Sequence, residues 1–447
     1  MASAAEQLAA NLNFGAFAKA TELKKRIWFT LGALIVYRIG TYIPLPGIDP
    51  TVLTELFQSQ GGGLLGMLNM FSGGALGRMT IFALNIMPYI SASIIMQLMT
   101  AVSPTMEQLK KEGESGRKKI NQYTRYLTVL LAAVQGYGLA IALEGAVGSS
   151  GPAVIDPGWF FRFSTVITIV GGVMFLMWMG EQITARGVGN GISLIIFAGI
   201  VAELPRALVG TLELGRQGAL SAFVIIGLLV MAIVVIAFIV FMERAQRRVI
   251  VQYPKRQVGN RMFGGESSHL PLKLNTAGVI PPIFASSLLL LPATLIGFSG
   301  GDSPGWVQFI SIMLGHGQPL YLILYAALII FFCFFYTAIV FNPEETADNL
   351  KKYGGFVPGI RPGANTAAYL DFVLTRVTAI GATYLTAVCL LPEFLISQYA
   401  IPFYFGGTSL LIMVTVTLDT VAQIHSHLMA HQYEGLIKKA KLRGRRG

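Results

Sequence analysis

Ten apolar stretches, separated by polar connections, form the dominant pattern of the sequence. A helix needs about 20 residues to cross the hydrocarbon core of a bilayer, which is about 30 Å thick. Most of the stretches approach that length, so the pattern predicts ten membrane-spanning helices. The predicted spans are 27–43, 80–102, 124–143, 163–179, 192–202, 220–242, 277–298, 320–341, 377–391 and 404–424. The fifth is short and is expected to include Val188 before it and 204–208 after it.

A shorter apolar run precedes the second predicted span. Gly61, Gly62 and Gly63 open it, and Gly73-Gly74 closes it ahead of Arg78. The run is too short to cross a bilayer, and glycines allow the backbone to turn sharply at both ends. The pattern fits a short movable element that leads into the span. It fits equally a surface helix at the membrane interface.

Composition places the chain among membrane proteins. Of its 447 residues, 54% are hydrophobic and only 12% are charged, which is too apolar for a soluble protein. Cys333 and Cys389 both lie inside apolar runs, so no disulfide framework is implied. The basic run 24–26 before the first stretch is typical of a signal peptide, but no small-residue cleavage site follows it. We therefore interpret the first stretch as a retained span.

The basic residues are distributed unevenly between the two sides of the membrane. If the N-terminus and the even-numbered connections share one side, 28 of the 33 Lys and Arg residues lie on that side or at its edge. Because cytoplasmic loops carry the excess of Lys and Arg, both termini are predicted to be cytoplasmic. Residues 1–26 then form a cytoplasmic N-terminal segment, and residues 425–447 form a basic cytoplasmic tail.

A short motif occurs in both halves of the chain. The second span contains Pro88-Tyr-Ile-Ser-Ala-Ser93 and the seventh contains Pro281-Pro-Ile-Phe-Ala-Ser286, both of the form Pro-x-Ile-x-Ala-Ser. These two spans cross the membrane in opposite directions. The pattern favours two inverted five-helix halves, 27–208 and 209–424, with a functional site at their interface. A coincidence between two apolar helices is the alternative.

Two long cytoplasmic connections, about 243–275 and 342–376, are candidates for partner binding. In the first, 247–253 predicts a strand, 254–259 a turn and Arg261 the start of a return strand. Such a hairpin suits a large anionic partner such as ribosomal RNA, although basic residues here could also fix topology or contact anionic lipids. In the second, Asn342 is expected to cap a helix that ends at Gly354-Gly355, and a turn-rich loop then presents Arg361. The candidate contacts are Arg247, Arg248, Lys255, Arg256, Arg261 and Arg361.

The residues show no catalytic, metal or cofactor constellation. The glycines of 187–191 join two spans and follow no strand, so they predict a turn rather than a nucleotide loop. No acidic residue falls in the middle of a predicted span, and Arg38 has no intramembrane partner visible in the sequence. Ion-coupled pumps need such groups, which weighs against transport energised within this chain. An enzyme is not expected, and a secondary transporter with broken helices is the alternative function.

Several independent motifs resemble the SecY family, the central subunit of the bacterial Sec protein-conducting channel. The matching segments are Gly73-Gly-Ala-Leu76, Ile86-Met-Pro-Tyr-Ile-Ser-Ala-Ser93, Lys110-Lys-Glu-Gly-Glu-Ser-Gly116, Gly189-Asn-Gly-Ile-Ser193, Gly359-Ile-Arg-Pro-Gly363 and Pro402-Phe-Tyr-Phe-Gly-Gly-Thr408. They keep one register from about Leu23 to the tail. Asn85 stands where we expect glycine, which could change the energetics of gating, and Pro282 stands where alanine is more usual.

The resemblance implies an all-α polytopic fold of ten transmembrane helices around a central pore, closed by a short plug helix at about 63–74. The implied plug residues are Gly63, Leu64, Met67, Met70, Phe71, Gly73 and Gly74. The implied pore ring consists of Ile86, Ile90, Ile192, Ile196, Ile283 and Ile412. The spacing adds that Ile86 and Ile90 share one helix face, as do Ile192 and Ile196. The implied lateral gate contains Ser91, Ser286 and Ser287.

The resemblance also implies a function and a set of partners. A passive gated channel would conduct unfolded secretory polypeptides across the bacterial cytoplasmic membrane and release transmembrane helices sideways into it. The implied partners are the SecE and SecG subunits, the SecA motor ATPase, a translating ribosome, signal sequences and nascent chains, and anionic lipids, with YidC and SecDF as further candidates. No cofactor is expected.

Overall fold

The structure of the chain is a computed structural model. It describes residues 20–49, 52–53, 69, 72–148, 151–218, 221–254, 256–258, 261–263, 267–297, 318–399 and 407–443. The helices in these ranges are α1 Thr21–Gly40, α2 Met87–Val102, α3 Pro104–Lys111, α4 Glu114–Glu144, α5 Trp159–Arg186, α6 Gly191–Arg216, α7 Ala222–Arg244, α8 Ile280–Gly297, α9 Pro319–Val340, α10 Pro343–Lys352, α11 Ala364–Tyr399 and α12 Gly407–Arg443. The strands are β1 Val147–Gly148, β2 Gly151–Pro152, β3 Gln246–Gln252, β4 Arg256–Val258, β5 Arg261–Phe263 and β6 Ser267–Lys273.

Each predicted span coincides with a helix. Seven of the described helices (α4, α5, α6, α7, α9, α11 and α12) are long and apolar enough to cross a membrane. Two more, α2 and the first part of α8, are apolar but shorter. Helix α1 covers the first predicted span and carries charged residues at its start and at Arg38. The predicted all-α class is confirmed, since the described strands form only two-stranded ribbons.

The chain forms two compact units. The first consists of Met1–Pro205 and Val416–Gly447, and the second of Arg206–Thr415. Both boundaries fall inside long helices, since α6 continues through Pro205 and α12 passes through Val416. The predicted division into halves at 208/209 stays a prediction.

In the first unit, α4 and α5 are joined by ion pairs at both ends. Arg125 of α4 lies 2.7 Å from a carboxylate oxygen of Glu181, and Arg162 of α5 lies 2.6 Å from Glu144. Between these ends, the two helices contribute to a buried apolar cluster with the segments 45–53 and 76–83. The two pairs therefore hold α4 and α5 in fixed register.

The second predicted span does not begin as a helix. Residues 80–86 form successive turns, and α2 begins only at Met87. The reason lies in the backbone, because Met79 and Asn85 have positive φ angles of 45° and 48°, which regular helix does not allow. The turns are held by neighbours, since Phe82 stacks between Tyr37 of α1 and Phe175 of α5.

In the second unit, aromatic side chains pack α8 against α9. Phe284 of α8 meets Phe332 and Tyr336 of α9 edge to face, with ring centroids 5.7 and 6.5 Å apart. The hydroxyl of Tyr325 lies 3.0 Å from that of Thr408 at the start of α12. Cys333 and Cys389 are buried thiols that are not joined in a disulfide.

The two long connections of the second unit fold together. Strands β3 and β6 pair antiparallel from Gln246 opposite Lys273 to Gln252 opposite Ser267. Beyond them, β4 and β5 pair as the outer part of the same hairpin. The loop after α10 joins this ribbon, because Gln252 and Phe356 exchange two backbone hydrogen bonds of 2.9 Å. We call β3, β6 and the loop 356–363 the ribbon platform.

Candidate functional site

The first two predicted ring residues lie at the beginning of α2. Ile86 immediately precedes the helix, and Ile90 follows one turn later, with its N–H bonded to the Ile86 carbonyl. Both side chains are buried. The turns before Met87 therefore position this pair, and Pro88 suits the first turn of the helix because it needs no N–H donor there.

The next two ring residues lie at the beginning of α6. Ile196 is buried and Ile192 is half-buried, one turn apart on the same face. The loop before them is tied to three helices by hydrogen bonds to its backbone N–H groups, from Val188 to Thr30 of α1, from Gly189 to Gln423 of α12 and from Gly191 to Thr184 of α5. The predicted turn at 187–191 is thus a fixed joint that sets where α6 begins.

The remaining ring residues belong to the second unit, where Ile283 is half-buried and Ile412 is buried. The repeated motif occupies the same place in α8 as in α2. Pro88 and Pro281 are the second residues of their helices, Ile90 and Ile283 the fourth, and Ser93 and Ser286 the seventh. This equivalence agrees with the predicted repeat. The assembly of all six isoleucines into one ring stays a prediction.

The predicted gate serines are buried in their own units. Ser91 lies on α2, and Ser286 and Ser287 lie on α8. The Ser286 hydroxyl donates to the Ile283 carbonyl at 2.9 Å, which is the local bond that helical serines often make. The Ser287 hydroxyl has no partner among the described residues. A buried hydroxyl without a partner is costly, so Ser287 differs from Ser286 in having its hydrogen bond unmade.

Most of the predicted plug lies outside the described residues. This holds for Gly63, Leu64, Met67, Met70 and Phe71. Its last residues are described, and we call Ser72, Gly73 and Gly74 the plug turn. Gly73 and Gly74 have φ angles of 65° and 79°, which glycine adopts without steric cost. A β-carbon on Gly73 would lie 2.9 Å from the Cα of Gly199, so the turn also needs glycine for its contact with α6.

Two arginines bind the plug turn, and the sequence did not reveal their role. Arg38 Nη1 donates to the Gly73 carbonyl at 2.8 Å, and Arg78 Nη2 donates to the same oxygen at 3.0 Å. Both guanidinium groups also lie over the ring of Tyr42, at 5.2 and 4.1 Å from its centroid. The partners of Arg38 that the sequence does not show are therefore the Gly73 carbonyl and the Tyr42 ring. The signal that could have revealed them is the charge itself, since an intramembrane arginine implies a partner.

Glu203 corrects an expectation. It is the thirteenth of the 26 residues of α6, because the helix continues through Pro205 to Arg216, beyond both the predicted span 192–202 and its expected extension over 204–208. An acidic residue does therefore occupy the middle of an apolar helix. A β-carbon on Gly74 would lie 2.5 Å from Glu203 Oε1 and 2.9 Å from Arg78 Nη2, so both charged groups adjoin the plug turn. We call Arg38, Tyr42, Arg78 and Glu203 the polar cage.

Some residues that are predicted to bind partners are exposed in the structure, and the others lie outside the described residues. Arg247 and Arg248 are exposed on β3, and Arg361 is exposed on the loop that joins it. The backbone of Arg361 is fixed, since its carbonyl accepts from Thr366 at 3.0 Å. Its side chain has no ion-pair partner within the described ranges. Lys255 and the side chains of Arg256 and Arg261 lie outside the described residues. Among the side chains that are described, no group of His, Cys, Asp or Glu is placed to hold a metal ion.

Comparison with known proteins identifies the family. The SecY family model matches residues 80–421. Protein translocase subunit SecY of Escherichia coli (strain K12) is 58% identical over 424 residues, which are 95% of this chain and 96% of that protein. The chain belongs to the SecY family. The match extends over nearly the whole length of both chains. The chain is accordingly a multi-pass membrane protein.

Solved structures of SecY-like channels share the fold. One, described as showing that the plug domain of the SecY protein stabilises the closed state of the translocation channel, has a TM-score of 0.65 at 19% identity, over 91% of this chain and 92% of that one. Another, Sec61 in the canine ribosome–channel complex from the endoplasmic reticulum, has a TM-score of 0.63 at 19% identity, with the same coverage. At such low identity these likenesses concern the fold alone.

Proposed function

We propose that this SecY-family chain is a protein-conducting channel. It passes unfolded secretory polypeptides across the membrane and releases transmembrane helices sideways into the lipid. The observation that carries this proposal is the 58% identity, over 95% of the chain, to a protein translocase subunit. The structure adds two units whose helices α2 and α8 begin with the same proline–isoleucine arrangement.

The proposed pore closes by an apolar constriction. Ile86, Ile90, Ile192, Ile196, Ile283 and Ile412 form the proposed ring. A narrow ring of this kind sheds water and so blocks ions, yet it can yield around an extended chain because dispersion contacts are not directional. The plug at 63–74 would close the channel on its external side. No cofactor is needed for this passive role.

Lateral release depends on small residues where helices separate. Ser91 on α2 and Ser286 and Ser287 on α8 would line the proposed gate. Small, weakly polar side chains permit close approach of helices in a membrane. They also give up little when a signal-sequence helix replaces the contact.

The ribbon platform, on the predicted cytoplasmic side, is the proposed docking surface. Arg247, Arg248 and Arg361 present positive charge on a rigid ribbon and loop whose shared core contains Val249, Leu272 and Val357. Charge of this kind suits the phosphates of ribosomal RNA on a translating ribosome. The same surface would receive the SecA motor, which supplies force that the channel lacks. SecE and SecG are the proposed companion subunits, in a bacterial cytoplasmic membrane with both termini cytoplasmic.

The transporter alternative has lost one counterargument and has gained no support. Glu203 and Arg38 are intramembrane ionisable groups, so the predicted absence of such groups no longer counts against a transporter. Both residues, however, adjoin the plug turn, and the near full-length relationship is to translocase subunits.

The deciding experiment is crosslinking of a stalled secretory chain in vesicles that contain the complex. A photoreactive group at Ile90 or Ile283 should crosslink to the stalled chain, and one at the lipid-exposed Ile226 of α7 should not. Equal crosslinking at all three positions, or none at any, would contradict the pore.

A further inference from the structure

We propose that Arg38 is a positioning residue that holds the plug turn against α1, with Arg78 and Glu203 completing the polar cage. Arg38 does not touch the transported chain in this assignment. It acts by fixing the end of the plug segment that leads into α2. The inference deepens the proposed channel function, on which it rests for the meaning of the plug.

The first support is that side chains of α1 donate hydrogen bonds to the backbone carbonyls of the plug turn. Besides the Arg38 bond to Gly73, the Tyr37 hydroxyl of α1 donates to the Ser72 carbonyl at 3.3 Å. Tyr37 and Ser72 are buried, and Arg38 is half-buried. Bonds from a charged donor in such a setting are roughly twice as strong as neutral ones. Helix α1 therefore holds the turn at two successive carbonyls.

The second support is that placing Arg38 beside Arg78 is electrostatically unfavourable and needs compensation by other groups. Arg38 and Arg78 bring two positive groups to one carbonyl oxygen, and like charges at close range repel. Tyr42 offsets part of this cost because its ring faces both guanidinium groups, and Glu203 supplies negative charge nearby. An arrangement that requires two supporting groups indicates a role in positioning rather than in solubility.

The third support is that arginine is required by geometry. Arg38 Nη1 reaches Gly73 while its Nη2 donates to the Tyr42 hydroxyl at 3.2 Å. A lysine ammonium cannot span both acceptors as a planar fork does. Arg38→Lys should therefore keep the charge and one bond and lose the other, and Arg38→Met should lose both.

The direct test measures access to the turn. Ser72→Cys places a thiol at a buried position, and its reaction with a membrane-impermeant maleimide can be followed in proteoliposomes that contain the full chain and its companion subunits. We expect the reaction to be at least about tenfold faster with Arg38→Met, the factor that corresponds to ~1.4 kcal/mol. Arg38→Lys should give an intermediate rate. The parent with Ser72 intact controls for Cys333 and Cys389, which are buried.

Controls separate positioning from general damage. Arg216→Met removes an arginine that is exposed near the end of α6 and pairs only with its neighbour Glu213, and it should change nothing. Glu203→Gln provides a second, milder variant of the cage and should accelerate labelling less than Arg38→Met. Labelling rates within twofold of the parent in both cage variants, with the protein assembled, would overturn the inference. If instead the cage variants label faster while a plug deletion neither leaks ions nor alters translocation, the inference stands and the channel role of the plug fails.

Discussion

At the scale of single residues, Asn85 shows how a backbone angle restricts which residue types a position tolerates. Its φ of 48° lies in the left-handed region, which glycine adopts freely and asparagine tolerates better than most residues. The resemblance leads us to expect glycine at this position, and the structure explains why asparagine can replace it. The side chain is buried and interacts with Tyr37, so asparagine adds a contact that glycine lacks.

Substitution at Asn85 gives the first prediction. Asn85→Gly should change the stability by less than about 1 kcal/mol, because the absence of a polar contact is offset by relief of backbone strain. Asn85→Val should destabilise by about 1–2 kcal/mol or more, since a β-branched residue is poorly tolerated at positive φ. Thermal unfolding of the purified protein in detergent measures both. Equal destabilisation in the two variants would show that the side chain, and not the backbone angle, determines the stability.

Arg361 gives the second prediction at this scale. Its exposed side chain stands on a loop fixed by Gly359 and Gly363, both at positive φ. Arg361→Glu should therefore reduce motor-driven translocation strongly while the amount of assembled protein is unchanged. Lys118→Glu, the same charge change at an exposed position of α4, is the matched control. If assembly and translocation fall together with Arg361→Glu, the residue has a structural role only.

At the scale of elements, the sequence predicts regular pieces better than irregular ones. Asn342 caps α10 as expected, accepting from the N–H groups of Glu344 and Glu345, because capping depends on neighbours in the chain. Strand β3 forms where the β-branched run predicts it. Apolar composition alone cannot distinguish the turns at 80–86, packed between two helices, from a helix. Glu203 lies between the apolar run 192–202 and the expected extension 204–208, so the sequence places it near the end of the span, whereas α6 continues to Arg216 and makes it central.

The hairpin formed by strands β3 to β6 gives a prediction at the scale of elements. Replacing Lys255, Arg256 and Arg261 together with glutamine should weaken ribosome binding to vesicles. The affinity that remains should depend less steeply on salt. In a plot of the logarithm of affinity against the logarithm of salt concentration, the magnitude of the slope should decrease by roughly one for each phosphate that the hairpin no longer neutralises. The fold should survive, since these positions lie beyond the paired strands β3 and β6 that carry the platform core. An unchanged salt slope would exclude docking through this hairpin.

At the scale of the whole molecule, the repeated helix start is the feature that the sequence reveals most directly. Ile90 and Ile283 occupy equivalent fourth positions of α2 and α8 in separate units. The polar cage is the converse case. Arg38, Arg78 and Glu203 are far apart in the chain, and only folding brings them to one turn. A single sequence shows that these charged residues are present, but it does not show which of them contact one another.

The central claim, which stays a proposal, is that isoleucines of both units seal the membrane. We predict that Ile90→Ser together with Ile283→Ser lets the constriction wet, because hydroxyl groups supply hydrogen-bond partners for water. A channel that lacks residues 63–74 should leak fewer ions than this double variant. A channel that combines both changes should leak more than either one alone. Ile226→Ser together with Ile233→Ser makes the same chemical change at exposed positions of α7 and should not leak.

Single-channel conductance in planar bilayers is the measurement that tests this claim most directly. The account predicts ion currents from the Ile90/Ile283 variant and from the plug deletion, the largest currents from their combination, and a tight bilayer with the Ile226/Ile233 control. Tight bilayers with both the ring variant and the plug deletion would contradict it.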